Sequence, residues 1–256
     1  MENKIITSKD NKLIKLTSKL FYDRKYHHQT NLFVCENKRV IETFIKNKFK
    51  IFKILVKSGL NFNTIDQKNI VYIDHKIYSY LSQMSNGDGC IGIFYKKSHD
   101  NTHSFKDNII ILDKIQNPNN LGSILRSADA FNIKNIILCN NSVDIYNNKV
   151  IQSSMGNGFN LNIFYVTDLS HFIKALRKDG YLIYATANNK QSVDINSISF
   201  NKKTAIIFGN EGNGLSNETI TMCDKTLSIK INKNVNSLNL AIAASIMMYK
   251  LNNENN

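Results

Sequence analysis

Residues 112–129 read LDKIQNPNNLGSILRSAD, and the order of their chemical character decides the kind of fold. An apolar strand, Ile109 to Leu112, runs into a polar turn and then directly into a helix around Leu121 to Phe131. Pro118 is the one proline of the chain. Within Asn117-Pro118-Asn119-Asn120 it fixes a turn outside the carboxyl end of a strand, where open α/β sheets bind ligands. A plain strand-to-helix connection would look the same, but Arg126 adds weight. The chain holds four arginines against 29 lysines, so an arginine marks a place where a planar fork of donors is needed.

Outward from this stretch the same rhythm continues. Apolar runs at Ile136 to Cys139, Leu161 to Val166, Tyr181 to Ala185, Ala205 to Phe208 and Leu227 to Ile231 predict strands. Phe172 to Arg177 predicts a helix, and Ser237 stands as the N-cap of a last one. Continuous apolar strands alternating with helices imply an α/β fold on a mostly parallel sheet covered on both faces. Upstream, KKSHDNTHSFKDN interrupts the pattern with turn formers. We therefore expect a first domain over 1–98, a linker over 99–107 and a second domain over 108–256. The first domain opens on a helix with Ser8 as N-cap and Leu13, Leu16, Leu20 and Phe21 at helical spacing, its lysines outward. Strands at Leu32 to Glu36, Ile51 to Lys57, Val71 to Ile73 and Ile91 to Tyr95, with two short helices between them, complete a small α/β unit. The tail LNNENN carries no assigned role.

Composition narrows the function. An apolar fraction of 42% suffices for packed cores. No run reaches the roughly 18 to 20 apolar residues of a membrane span, and the N-terminus has no signal-like segment, so we expect a cytoplasmic protein with no membrane partner. Cys35, Cys90, Cys139 and Cys223 are widely spaced and read as reduced structural thiols. Neither they nor the histidines, His27 and His28 included, have metal-ligand spacing, so no metal is expected. The net charge of +13 suits a polyphosphate partner, although heavy Lys, Asn and Ile usage can also follow from A/T-rich codons.

Two further segments carry chemistry. In Ile206 to Ser216, IIFGNEGNGLS, an apolar strand ends on three glycines spaced G-x-x-G-x-G, which let the backbone approach a ligand. This spacing is neither the dinucleotide fingerprint nor a Walker A loop, and the carboxylate of Glu211 inside it exceeds what a turn needs. In Val235 to Ala244, VNSLNLAIAA, the small residues and Ser237 suit a capped core helix, and Asn239 falls near its N-terminus.

Taken in order, these segments resemble the SpoU (TrmH-like) family of the SPOUT superfamily. Its signatures N/D-P-x-N-x-G-x-x-x-R, G-x-E-x-x-G and S-L-N are each complete here, at Asn117 to Arg126, Gly209 to Gly214 and Ser237 to Asn239. Ser153 to Gly156 looks like the family's S-x-G segment after the third strand of the catalytic domain. Leu32 to Asn37 resembles the start of the family's RNA-binding domain, with Asn37 where glycine is common. The resemblance implies an RNA ribose 2'-O-methyltransferase using S-adenosylmethionine, a C-terminal trefoil knot and a homodimer. It implies Arg126, Asn120, Glu211, Ser237 and Asn239 as catalytic residues, and Gly209, Ile229, Leu238 and Thr186 as cofactor-binding ones. The substrate it suggests is large-subunit ribosomal RNA, with transfer RNA as the alternative. A non-catalytic RNA-binding or ribosome-assembly factor on the same fold stays open. A dinucleotide-dependent oxidoreductase fits the rhythm but lacks the glycine fingerprint.

Overall fold

The computed structural model describes residues 5–23, 26, 29–63, 66–97, 105–189, 191–200 and 203–254. Arg126 and the other candidate site residues fall within these ranges. His27, His28, most of the 99–107 stretch and the last two residues of the tail lie outside them.

The chain forms two compact units. The first begins with α1 (Lys12–Tyr22), which buries Ile14, Thr17 and Leu20. Its N-cap is Asn11, whose side chain accepts from the Leu13 N–H, whereas Ser8 instead accepts from the Asp10 N–H in the turn before. Then come β1 (Leu32–Glu36), α2 (Lys38–Lys46), β2 (Ile51–Lys57), β3 (Ile70–Ile73), α3 (His75–Leu81) and β4 (Cys90–Tyr95). The sheet order is β1-β4-β2-β3, antiparallel except for the β2–β3 pair. All five residues of β1 are buried because both faces are covered. Val34 joins the α1 and α3 side with Ile14, Ile77 and Leu81, and Phe33 meets Phe44 of α2 edge-on at 5.0 Å.

Asn37 connects β1 to α2 with φ +87°, a backbone region that favours glycine. Its side chain offsets part of that cost by accepting from the Arg39 and Val40 N–H groups. Beside it the Glu36 carboxylate is fully buried and accepts from the Tyr78 hydroxyl at 2.9 Å, the Gln83 N–H at 3.0 Å and the Ser82 hydroxyl. A buried carboxylate needs donors of this kind.

The second unit holds β5 (Ile109–Asp113), α4 (Pro118–Ala130) and β6 (Asn135–Cys139). Pro118 stands at the first position of α4, with Asn117 as N-cap, so the proline starts the helix and does not sit in a separate turn. The chain then returns to the first unit through Tyr146–Gly156, which contains α5 (Asn148–Ser154). There the Tyr146 ring packs 4.8 Å from that of Phe33, and its hydroxyl accepts from the Lys97 N–H at 3.0 Å. The Ser153 to Gly156 segment therefore precedes the third strand of the catalytic sheet and does not follow it. The second unit resumes with β7 (Asn162–Val166), α6 (Leu169–Lys178), β8 (Leu182–Thr186), β9 (Val193–Asp194), β10 (Thr204–Phe208), α7 (Asn217–Thr221), β11 (Lys225–Ser228) and α8 (Leu240–Asn253).

These strands form one sheet, β7-β6-β5-β10-β8-β11-β9, in which every described pair is parallel. Late strands enter between earlier ones: β10 between β5 and β8, and β11 between β8 and β9. On one face Ile109, Ile111, Ile137, Ile183 and Ile207 pack with Phe172 and Leu176 of α6. Burial of each such side chain contributes about 1.5–3 kcal/mol. The four cysteines are unpaired, and burial pushes the thiols of Cys90, Cys139 and Cys223 up to about 12 and that of Cys35 higher still. Among the described residues no helix is long and apolar enough to cross a membrane, and no cluster of three potential metal ligands occurs.

Candidate functional site

Parallel strands end on the same side of a sheet, so the four neighbours β5, β10, β8 and β11 place Asp113, Phe208, Thr186 and Ser228 along one edge. The loops leaving that edge contain the motifs read from the sequence. Gly209 follows β10 and is buried, and Ile229 follows β11. Thr186 closes β8, its hydroxyl donating to the Ile207 carbonyl at 2.9 Å. Three of the four expected cofactor-binding residues thus share one sheet edge.

The glycine loop folds back on itself. The Gly214 N–H donates to the Asn210 carbonyl at 2.9 Å, and the Asn210 side-chain oxygen accepts from the Gly212 and Asn213 N–H groups. The Asn210 amide donates to the Lys114 carbonyl at 3.0 Å, so the loop after β10 is tied to the loop after β5. Sequence reading misses this bracing role. Its signal is an asparagine two and three residues ahead of the N–H groups it turns back on.

Glu211 extends the connection. Its Oε1 accepts from the Asn117 N–H at 3.2 Å and from the Asn120 amide at 3.1 Å. Asn120, only 6% exposed on the first turn of α4, accepts in turn from the Asn239 amide at 3.0 Å. The Asn239 oxygen accepts from the Ala241 and Ile242 N–H groups that open α8. Every polarity in this chain follows from its two ends. The helix N–H groups at one end only donate, and the backbone N–H of Asn117 donates to Glu211 at the other, so each asparagine can be oriented in one way. Asn120 is thereby joined, through side chains alone, to partners 91 and 119 residues further along the sequence.

Asn239, and not Ser237, is the N-cap of α8. The sequence offers both residues ahead of the apolar run. The cap falls on the one whose amide also bonds to Asn120, which leaves Leu238 before the helix with its backbone groups outside the helical ladder. Ser237 is exposed and stands outside the hydrogen-bonded chain. Arg126 is exposed too, about 9 Å further along α4 than Asn120, and among the described residues its side chain forms no ion pair or hydrogen bond. The structure thus joins Asn120, Glu211 and Asn239 and leaves Arg126 and Ser237 apart from them.

Asn120→Asp would set a second carboxylate against Glu211 at the buried position 120. One of the two then takes up a proton in the folded state, so the variant regains stability as pH falls and loses it as pH rises through the raised carboxyl range. Thermal melts between about pH 5 and 8 should show a gap from the parent protein that widens with pH. A constant gap would show that the two groups do not face each other in solution.

Comparison with known proteins agrees with this architecture. A Bacillus subtilis 23S rRNA (guanosine(2553)-2'-O)-methyltransferase, RlmP, is 25% identical over 97% of this chain and 99% of its own. The crystal structure of an rRNA methyltransferase from Sinorhizobium meliloti with bound S-adenosylmethionine is 25% identical, with a TM-score of 0.83 over 98% of this chain and 97% of that one. An RNA 2'-O ribose methyltransferase shares the fold, with a TM-score of 0.84 at 23% identity over 98% of this chain and 99% of that one. Residues 107–249 match the profile of the SpoU rRNA Methylase family. With its three signature segments meeting at one sheet edge, the chain belongs to that family.

Proposed function

We propose that the protein is an S-adenosylmethionine-dependent ribosomal RNA methyltransferase that modifies a ribose 2'-hydroxyl. The observation that carries this reading is the Glu211–Asn120–Asn239 connection beside the carboxyl ends of β8, β10 and β11. A passive RNA binder has no need for a fully oriented polar chain, centred on a buried asparagine, next to a glycine loop.

Backbone groups at Gly209, Ile229 and Leu238 lie outside the strand and helix ladders, and with Thr186 they would hold the cofactor. Bound there, the cofactor supplies an electrophilic methyl group on a positively charged sulfur. The protein's part is to align the ribose hydroxyl and manage its proton. We assign the alignment to Asn120, Glu211, Asn239 and the nearby Ser237. Arg126 holds an adjacent phosphate and stabilises the developing alkoxide. A guanidinium holds its proton too tightly to be a good general base, so the proton leaves to phosphate or water.

Residues 1–98 form the RNA-binding domain in this reading, and 108–256 the catalytic one with its knotted C-terminus. Homodimerisation is supported by Ile242, Ile246 and Tyr249, which repeat along one face of α8 and stay exposed, Ile242 at 53% and Tyr249 at 55%. Reduced thiols and an RNA substrate agree with a cytoplasmic location.

Incubation with labelled cofactor and ribosomal RNA, followed by nuclease digestion, should place the label on a ribose, with transfer persisting in a chelator. Sedimentation of the same preparation should give twice the chain mass of 29.3 kDa. Label on a base, or activity restored only by a divalent ion, would overturn the reading, and a sedimenting monomer would remove the dimer.

A further inference from the structure

We propose that the face shared by α1 and α3 binds an unpaired stretch of RNA, with Tyr22 and Tyr80 as stacking platforms for bases. This rests on the RNA-methylating reading above and adds how the first unit recognises its substrate.

On α1 the exposed positions Lys12, Lys15, Lys19 and Tyr22 recur at steps of three, four and three, which places them on one stripe about 15 Å long. Across from it, α3 exposes Lys76 and Tyr80 one turn apart. The two helices touch through these residues. The Tyr22 hydroxyl donates to the Leu81 carbonyl at 3.3 Å, and the Ser18 and Tyr80 hydroxyls stand 3.4 Å apart. Lys9 lies 4.3 Å from the centre of the Tyr80 ring.

Both rings are presented although held. Tyr22 is 56% exposed and Tyr80 41%, and no aliphatic side chain of α1 or α3 is exposed to a comparable degree. A ring pinned at its hydroxyl loses little freedom when a flat partner stacks on it, and every nucleobase offers such a partner. The acidic groups close by are already engaged. Asp74 and Asp23 cap backbone N–H groups of Ile77 and Tyr26, while Asp10 pairs with Lys15 in solvent, where such pairs exchange readily. The lysines are left to face phosphates, and the tyrosines to take bases that a paired helix would keep stacked on one another. An interface for an aliphatic protein surface would expose a different set of side chains.

The test uses the full-length protein and two RNA probes, a hairpin whose loop carries 2-aminopurine and a fully paired duplex of equal length. Wild-type protein should bind the hairpin and quench the 2-aminopurine. In the double variant Tyr22→Leu and Tyr80→Leu, hairpin affinity should fall about tenfold or more and the quenching should vanish, with duplex and S-adenosylmethionine binding unchanged. Tyr22→Phe, which keeps the ring and loses only its pin, should remain within a few-fold of wild type. Lys12→Gln with Lys19→Gln should weaken both probes and lower the salt slope for the hairpin by up to about 0.7 for each phosphate that is no longer neutralised. Hairpin binding that is insensitive to the leucine substitutions, or competed equally by polyglutamate, would overturn the proposal and leave the methyltransferase reading intact. A wild-type protein that binds cofactor but transfers no methyl group to any RNA would overturn that reading itself.

Discussion

Replacing Arg126 by lysine is expected to lower turnover at least about a hundredfold, equivalent to roughly 2.7 kcal/mol of transition-state stabilisation, with cofactor affinity nearly unchanged. The substitution keeps the charge and removes the planar fork that can hold a phosphate and a developing alkoxide together. Arg126 is exposed on α4, and its side chain has no ion-pair or hydrogen-bond partner among the described residues. As an ordinary solvated side chain it would tolerate the change within about 0.5 kcal/mol of stability and with full activity. Single-turnover rates and cofactor titration on one folded preparation separate the cases. Near-normal turnover would remove Arg126 from the catalytic group and leave Asn120, Glu211 and Asn239 to be explained as a structural tie between loops.

Gly209→Ala should have an effect of similar size through a different link. A Cβ at Gly209 would stand 2.5 Å from both the Gly214 carbonyl oxygen and the Leu215 nitrogen. Backbone cannot yield as a flexible side chain does, so the loop must open. Opening it strains the Asn210 bracing and the placement of Glu211 beside Asn120. We expect a stability loss of about 3 kcal/mol and a fall in S-adenosylmethionine affinity of about two orders of magnitude. Gly212→Ala is the control. Its Cβ would meet only the Asn210 side-chain oxygen, at 3.5 Å, so a change within about 0.5 kcal/mol is expected. Equal tolerance at the two positions would mean that the loop is not closed on itself in solution.

The parts of this structure that are legible in the sequence are those governed by local chemistry. Apolar runs such as Ile109 to Leu112 and Ala205 to Phe208 announce strands buried on both faces, and each falls within a residue of the observed strand. The order of the strands is not legible. Runs as alike as Ile109-Ile110-Ile111 and Ile206-Ile207 are interchangeable in hydrophobic terms, so nothing local states that β10 lies between β5 and β8. The site divides in the same way. The glycines and the asparagine of the first motif can be singled out by residue type, but the bond from Asn239 to Asn120 spans 119 residues and exists only after folding. The misplaced cap at Ser237 has this origin: Ser237 and Asn239 are both good caps, and a partner from a distant helix decides between them.

The return of Tyr146–Gly156 to the first unit has a consequence for the chain as it is made. That unit is not finished when residue 98 leaves the ribosome, because Tyr146, whose ring packs against Phe33 and whose hydroxyl accepts from the Lys97 N–H, has yet to be made. At synthesis rates of about 5–20 residues per second, the incomplete first unit waits on the order of several seconds with an apolar surface uncovered. A protein built in this way has a clock in its biogenesis, and a pause in translation just upstream of residue 146 would prolong its most aggregation-prone interval.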